Sequence, residues 1–347
     1  MLPRLGMFRP LRGSFSALAR LEHGRLPGAV LVRQQASGRC PPGSMTERVG
    51  VRQHDHQPWP VFWVRADDAR LVGKMLHWRD VDDRLCSEGV FHLHERRRLG
   101  EDRLLAQILV AKPTPLAGAW TSLASNWSAR YNYYHWLLDS LTRLKVRELL
   151  PEPTRILLPH SSRGFIGETL EMLGLSDQVD YIPTSCVQPE RYYFCAPLAM
   201  AGVWNPLGYN WLRENFASYC QPCATGQAIF LTRRGGTRVP PNLAEIEALF
   251  TKHGFAVVDC GAISVKQQLH LASMAPAIAG LHGAAMTNLL WAQPGTPALE
   301  IFGPGYFNAC YEQIAFHGRL QYHYEIMTGS SSLATLTEWC RQFASHV

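Results

Sequence analysis

His282 stands in the uncharged stretch AGLHGAAMTNLLWA, with Gly280 and Gly283 close on either side. An apolar run that breaks into Gly-x-His-Gly-Ala-Ala predicts a buried strand turning into a helix. The first amides of such a helix can hold an anion, and glycines let a backbone approach it closely. A second apolar run, AIFLTRR, ends in Arg233 and Arg234, whose guanidinium forks match phosphate oxygens. A third, PALE, ends in Glu300, a carboxylate able to accept hydrogen bonds from ribose or sugar hydroxyls. Each has a plainer reading: a solvated arginine pair, a satisfied core histidine, a surface acid. Three such groups at strand ends of one parallel sheet converge on one edge, and that favours a single site for a phosphorylated sugar.

A second constellation lies in NYYHWLLD. His135 and Asp139 are spaced i, i+4 and share a helix face. An imidazole ordinarily titrates near pH 6.5, roughly where a general base for a hydroxyl should sit, and a carboxylate within reach would orient it. Asn132, Tyr133 and Trp136 beside them resemble the aromatic and hydrogen-bonding lining of a sugar-facing surface, the acceptor side of a transfer. The plainer reading is a histidine that packs its helix.

Other signals are weaker. Asp80-Val81-Asp82 has the spacing of a metal–diphosphate motif but lies in a charge-rich stretch, so a solvated turn is expected there and no metal. Cys220 and Cys223 form a lone CxxC without a second pair. Asn126-Trp127-Ser128 is a glycosylation sequon without a secretory signal. GxxxxGK[ST], GxGxxG and GxSxG are absent, which argues against P-loop kinases, classical NAD dehydrogenases and α/β-hydrolases.

The elements that must position these groups follow from periodicity. WPVFWV (59–64) and LLAQILV (104–110) read as strands. Tyr134, Leu137, Leu138, Leu141 and Leu144 form one helical stripe. RILLP, FIGETLEMLGL and QVDYIP then give a strand–helix–strand rhythm. A stretch rich in Cys, Pro and aromatics, 186–226, holds the expected domain boundary. Beyond it come a strand at 228–234, a helix with Leu243, Ile246, Leu249 and Phe250 inward, the strand AVVDC, and a helix capped by Ser264. PAIAGL, the helix GAAMTNLLWA and PALEIF complete a doubly wound, Rossmann-like half.

The chain has 347 residues, enough for two domains, with 46% apolar and 18% charged residues, a globular balance. Its net charge of +6 is that of residues 1–44, where seven arginines face one acid. That leader is expected to be disordered, and it allows peripheral membrane association. The remainder is electrically balanced, so nucleic acid is not an expected partner. Tyr192–Leu212 and Gln267–Leu299 lack charge but are broken by Pro, Gly and Asn, so no transmembrane helix is expected, and a cytoplasmic location follows. Nine cysteines, an odd number, indicate reduced thiols.

NYYHWLLDSLTRL, LTRRGGTRVPPNLAEIEALF and AGLHGAAMTNLLWAQPGTPALEIF resemble, in order and spacing, glycosyltransferase family 61. The family includes eukaryotic O-linked N-acetylglucosaminyl- and xylosyltransferases and bacterial proteins of capsular polysaccharide biosynthesis. The resemblance covers roughly residues 120–325. It implies an α/β, GT-B type fold of two Rossmann-like domains: after the leader, 45–222 on the acceptor side and 223–347 binding the donor. It also implies inverting transfer of a hexosyl or pentosyl unit from a nucleotide-sugar, UDP-linked, to a hydroxyl of a glycan or other acceptor, with no metal and no further cofactor. Carried over, Arg233, Arg234 and Arg238 would hold the diphosphate. His282, Gly283 and Ala284 match the HGA turn, Glu300 the strand-end glutamate, and Asn242, Glu245 and Asn288 complete the donor set. His135 and Asp139 match HWLLD as the catalytic pair. One departure stands out: Asn242-Leu243 occupies the place of the family's Asn-Glu, with Glu245 two positions later. Rival classes are a catalytically impaired nucleotide-sugar- or glycan-binding protein, a hydrolase or epimerase acting on a nucleotide-sugar, and a redox or zinc protein built on Cys220 and Cys223.

Overall fold

The structure, a computed structural model, describes residues 14–15, 30–32, 61–67, 69–72, 76–79, 85–86, 112–125, 132–159, 164–182, 186–200, 203–221, 226–234, 239–305, 307–327 and 330–344. The protein is of mixed α/β class and divides into two units, Met1–Ala36 with Pro58–Gly208, and Ser37–Gln57 with Tyr209–Val347.

In the first unit, two strands come from the basic leader, β1 (Ser14–Phe15) and β2 (Val30–Val32). The run Val30-Leu31-Val32 lies antiparallel along β3 (Val61–Ala66), and apart from these two strands residues 1–44, where disorder is expected, lie outside the described residues. The strands β4 (Arg70–Val72), β5 (His77–Arg79), β6 (Leu85–Cys86), β7 (Thr114–Ser122), β8 (Arg155–Pro159), β9 (Val179–Ile182) and β10 (Cys186–Cys195) complete the sheet. Its order is β1-β6-β5-β4-β10-β7-β8-β9, with β3 also on β10. The β10, β7, β8 and β9 ladders are parallel, whereas β3 and β4 run antiparallel to β10. Alternate residues of β3 enter different clusters: Phe62, Val64 and Ala66 join one core, Val61 and Trp63 another. A strand buried on both faces explains why WPVFWV is apolar without alternation. The strand predicted at 104–110 lies outside the described residues.

After β7, a helical segment, α1, runs through an α turn Tyr133–His135, a π turn Trp136–Leu141 and an α segment Arg143–Arg147. Its predicted stripe, Tyr134 through Leu144, is buried throughout. Helix α2 (Phe165–Met172) joins β8 to β9, and the short strands β11 (Ala199–Met200) and β12 (Val203–Trp204) precede α3 (Pro206–Asn215). The two units meet in sequence after Gly208, not near residue 222. Gly208 packs with the first unit, where a Cβ would meet Leu198 Cβ at 3.0 Å and Thr142 Cγ2 at 3.1 Å. Arg213, one turn on, donates to the carbonyls of Leu290 and Ala292 at 2.6 and 3.0 Å in the second.

The second unit is a five-stranded, all-parallel sheet ordered β14-β13-β15-β16-β17, from β13 (Ile229–Leu231), β14 (Ala256–Val258), β15 (Ile278–Leu281), β16 (Pro297–Phe302) and β17 (Gln321–Ile326). Between them lie α4 (Leu243–Lys252), α5 (Val265–Met274) and α6 (Cys310–Gly318), with α7 (Ser330–Ala344) last. Ile246 and Phe250 of α4 are fully buried, and Phe250 stacks on Phe230 of β13 at 4.3 Å. Ser264 caps α5 through a reciprocal pair with Gln267, at 3.2 and 2.9 Å, as its sequence position predicted. The expected α-helix after His282 is a 3-10 helix, Ala284–Trp291. Met286 through Trp291 are all buried, so no polar face selects the α period. Among the described residues no helix is long and apolar enough to cross a membrane.

Candidate functional site

In the first unit, Asn132 opens α1 as its N-cap, its Oδ1 accepting from the His135 amide at 3.3 Å. The cap sets the helix so that His135 and Asp139, one turn apart, meet. His135 Nδ1 hydrogen-bonds to Asp139 Oδ2. Asp139 lies in the π turn with its side chain 1% exposed, whereas His135 remains 18% exposed. Single π turns recur at functional sites. When Asp139 is ionised its carboxylate only accepts, so the contact then holds the proton on Nδ1 and leaves Nε2 as the basic nitrogen. The edge of Tyr134 packs on the imidazole at 5.0 Å.

The aromatic neighbours do not line a surface. Trp136 is completely buried, with Nε1 donating to Thr169 Oγ1 of α2 at 2.8 Å. Tyr133 is buried edge-on against Phe165 at 5.5 Å. Positions i and i+3 share a helix face, and here that face is core. The sugar-facing surface expected of Asn132, Tyr133 and Trp136 is therefore corrected: one is a cap and two are packing residues.

In the second unit, the strand order reverses between β13 and β15, since β14 flanks β13 on one side and β15 on the other. Ligands of open parallel sheets bind beyond the carboxyl ends of strands at such a reversal. Arg233 follows β13 and His282 follows β15. Arg233 Nη1 donates to the His282 carbonyl at 3.1 Å. A Cβ on Gly283 would sit 3.2 Å from the same Nη1, so the glycine is what lets the guanidinium lie on the turn. Gly280 serves packing instead. A Cβ there would meet Met286 Sδ at 2.7 Å and Leu231 Cβ at 2.9 Å.

His282 is held on three sides. Its ring stacks on Phe302 at 4.8 Å, takes the edge of Tyr311 at 5.3 Å, and hydrogen-bonds through Nδ1 to Glu300 Oε1. Glu300 is fully buried, and Tyr322 on β17 donates to its other oxygen at 2.5 Å. The role expected of Glu300, accepting from ribose or sugar hydroxyls, does not survive: both oxygens are engaged inside the protein. Burial pushes its carboxyl above the ordinary range, against the pull of His282 and Tyr322. Burial and the neighbouring Glu300 also push the Tyr322 phenol up.

Arg234 turns away from this cluster. It pairs with Glu247 of α4 at 3.1 and 3.3 Å, and Thr232 donates to the same carboxylate at 2.5 Å. Arg234 holds the Glu247 carboxyl below its ordinary range, aided by Thr232 and opposed by burial. Asn288 is buried, its amide donating to Gln268 Oε1 and the Ala285 carbonyl, both at 3.0 Å, so it faces the fold and not a donor. Asn242 ends the turn before α4, where its carbonyl accepts from the Glu245 and Ile246 amides, and Glu245 is exposed in the first turn. Ala284 begins the 3-10 helix. Arg238, Asp80, Asp82, Asn126 and Cys223 lie outside the described residues, and Cys220 is half-buried with its thiol pushed up by burial.

Sequence reasoning missed Glu247 and Tyr322. Glu247 had a local signal, a second acid two residues after Glu245. Tyr322 had none, because only the β16–β17 pairing brings it to Glu300.

Comparison with curated proteins returned no match. The profile of the family described as Glycosyltransferase 61 matches residues 133–299, from the first residue of α1 to the residue before Glu300. That segment contains the His135–Asp139 pair, Arg233 and the His282 turn, and over it the chain is similar to the glycosyltransferase 61 family.

Proposed function

We propose that the protein is an inverting, metal-independent glycosyltransferase of GT-B type. It moves a sugar from a nucleotide-sugar, UDP-linked, to a hydroxyl of a glycan or related acceptor in glycoconjugate or polysaccharide synthesis. The observation that carries the reading is Arg233 lying on the His282–Gly283 turn at the strand-order reversal. A guanidinium and the first amides of a helix can together stabilise the charge that builds on a departing nucleoside diphosphate. His282, oriented by Glu300, adds an imidazole to that environment. On the acceptor side, His135 Nε2 takes the proton of the attacking hydroxyl as its oxygen bonds to the anomeric carbon. The bond from that carbon to the diphosphate breaks, and Asp139 stabilises the imidazolium.

A screen of UDP-, GDP-, CMP- and dTDP-sugars by thermal shift tests the donor half. Donor at 100 times its Kd adds about 2.7 kcal/mol. Arg233→Ala abolishes the shift and cuts turnover strongly, while EDTA leaves turnover unchanged. Strict Mg²⁺ dependence, or no shift with any nucleotide-sugar, overturns the reading. The second reading, a nucleotide-sugar-binding protein without transferase activity, is favoured by Leu243 standing where the family has Glu. Binding by calorimetry without turnover of donor would select it.

A further inference from the structure

One charged group in the first unit has no part in the chemistry above. Arg143 follows Asp139 by four residues on α1, as Asp139 follows His135, and its side chain is only 2% exposed. Its Nε donates to the Asp139 backbone carbonyl at 3.1 Å, and its guanidinium carbon lies 5.8 Å from the centre of the Phe194 ring. Its Nη2 is buried and makes no hydrogen bond. A buried guanidinium that leaves a donor unsatisfied is costly, so packing alone is a poor reason for it.

Its surroundings narrow the choice. Tyr192 and Cys195 on β10, Cys86 on β6 and Asp139 on α1 act on it electrostatically. Burial pushes the Cys195 thiol up to about 11 and the Tyr192 phenol higher still, so neither is charged at neutral pH. The Cys86 thiol is fully buried beside them. Among these groups Asp139 is the carboxyl, the group whose ionised form a neighbouring buried cation favours.

We propose that Arg143 is a positioning residue: its buried charge keeps the Asp139 carboxylate ionised, and its hydrogen bond holds the Asp139 backbone, so that Asp139 can fix the Nδ1–H tautomer of His135. The stripe His135, Asp139, Arg143 then acts as one unit, an imidazole, a carboxylate and a counter-cation along one helix. The inference rests on the reading of His135 as the acceptor base, yet its test needs no sugar.

The full chain is labelled with ¹⁵N-histidine, and the His135 ring signal, assigned by its loss in H135Q, is titrated by NMR. Without the cation, a protonated imidazole beside a buried carboxylate is favoured. Arg143→Met therefore raises the His135 titration midpoint by about one pH unit relative to the unaltered chain, and Arg143→Lys stays close to it. A midpoint that does not move in folded R143M overturns the proposal. A urea-unfolding cycle of R143M, D139N and the double variant gives a second readout. The loss caused by Arg143→Met shrinks by at least half once Asp139 is neutral, and if R143M alone fails to fold, the double variant folds. Equal losses in both backgrounds, or an unfolded double variant, overturn it. Failure to transfer sugar would sink the function and leave this coupling standing.

Discussion

Gly283→Ala separates the donor chemistry from the fold. The backbone at Gly283 is extended, φ 169° and ψ 174°, a conformation any residue adopts, so alanine introduces no strain of its own. Its methyl carbon would sit 3.2 Å from Arg233 Nη1, 3.5 Å from Cδ and 3.7 Å from Cζ. Carbon and nitrogen prefer at least about 3.5 Å, so the guanidinium must retreat by a few tenths of an ångström. Its 3.1 Å bond to the His282 carbonyl stretches towards the length at which hydrogen bonds fail. The lost bond costs the fold about 0.5–1.5 kcal/mol, and replacing glycine returns about 0.4–1 kcal/mol through the unfolded chain. The melting temperature should therefore move by no more than about 4 °C. Transfer is more exposed. Complete loss of one preorganised contact costs about 2–4 kcal/mol of transition-state stabilisation, and a partial displacement about 1.4 kcal/mol, tenfold in kcat/KM. Steady-state release of nucleoside diphosphate, measured in parallel with thermal melting, reads both. In an Arg233→Ala background the added methyl should cost nothing further. Unchanged kcat/KM in folded G283A, or an equal additional loss in the double variant, would refute the placement of Arg233 as the diphosphate ligand.

His135→Ala and Asp139→Ala should each lower kcat by about 10²–10⁴-fold while leaving the donor-induced thermal shift intact; wild-type turnover in both would put the base elsewhere. Arg234→Ala, which breaks only the pair with Glu247, should leave donor KM and melting temperature nearly unchanged, and a loss matching Arg233→Ala would show that Arg234 swings to the donor. Glu300→Gln tests the buried carboxyl by pH. Because the folded protein holds that proton to higher pH than the unfolded chain, Glu300 contributes stability below its ordinary range, about pH 4.3, and loses it as pH rises through the raised folded value. The stability of the unaltered chain relative to E300Q should thus fall as pH rises from 4.5 to 7 in urea unfolding; a flat or rising difference contradicts the burial argument.

Both units hold a histidine by Nδ1 on a buried carboxylate, and the contrast between the two pairs shows which kind of geometry a sequence displays. His135 and Asp139 are four residues apart, so the helical period alone brings them together, and their contact could be anticipated from NYYHWLLD. His282, just past the end of β15, and Glu300, on the adjacent β16, are eighteen residues apart. The strands themselves were legible from IAGL and PALEIF, but not that Gly280 would sit opposite Glu300, which is what brings the carboxylate beneath the histidine. The end of PALE alone therefore points a glutamate toward a sugar, when register turns it inward. Burial misled in the same direction at Trp136 and Asn288. Each is a residue type that hydrogen-bonds ligands well, and each spends that capacity on a neighbour, Thr169 or Gln268, that sequence spacing does not point to. Arg233 and Arg234 behave alike in sequence but not in the fold: both lie just past β13, yet one reaches the His282 turn and the other pairs with Glu247 of α4. The sequence period thus identifies elements and local pairs, while the assignment of a polar side chain to ligand or to core depends on which strand lies beside it. For a chain of this kind, the residue worth mutating first is Arg233, which lies on the His282–Gly283 turn where the strand order reverses, because a change there perturbs the turn and leaves the side-chain pairs between strands in place.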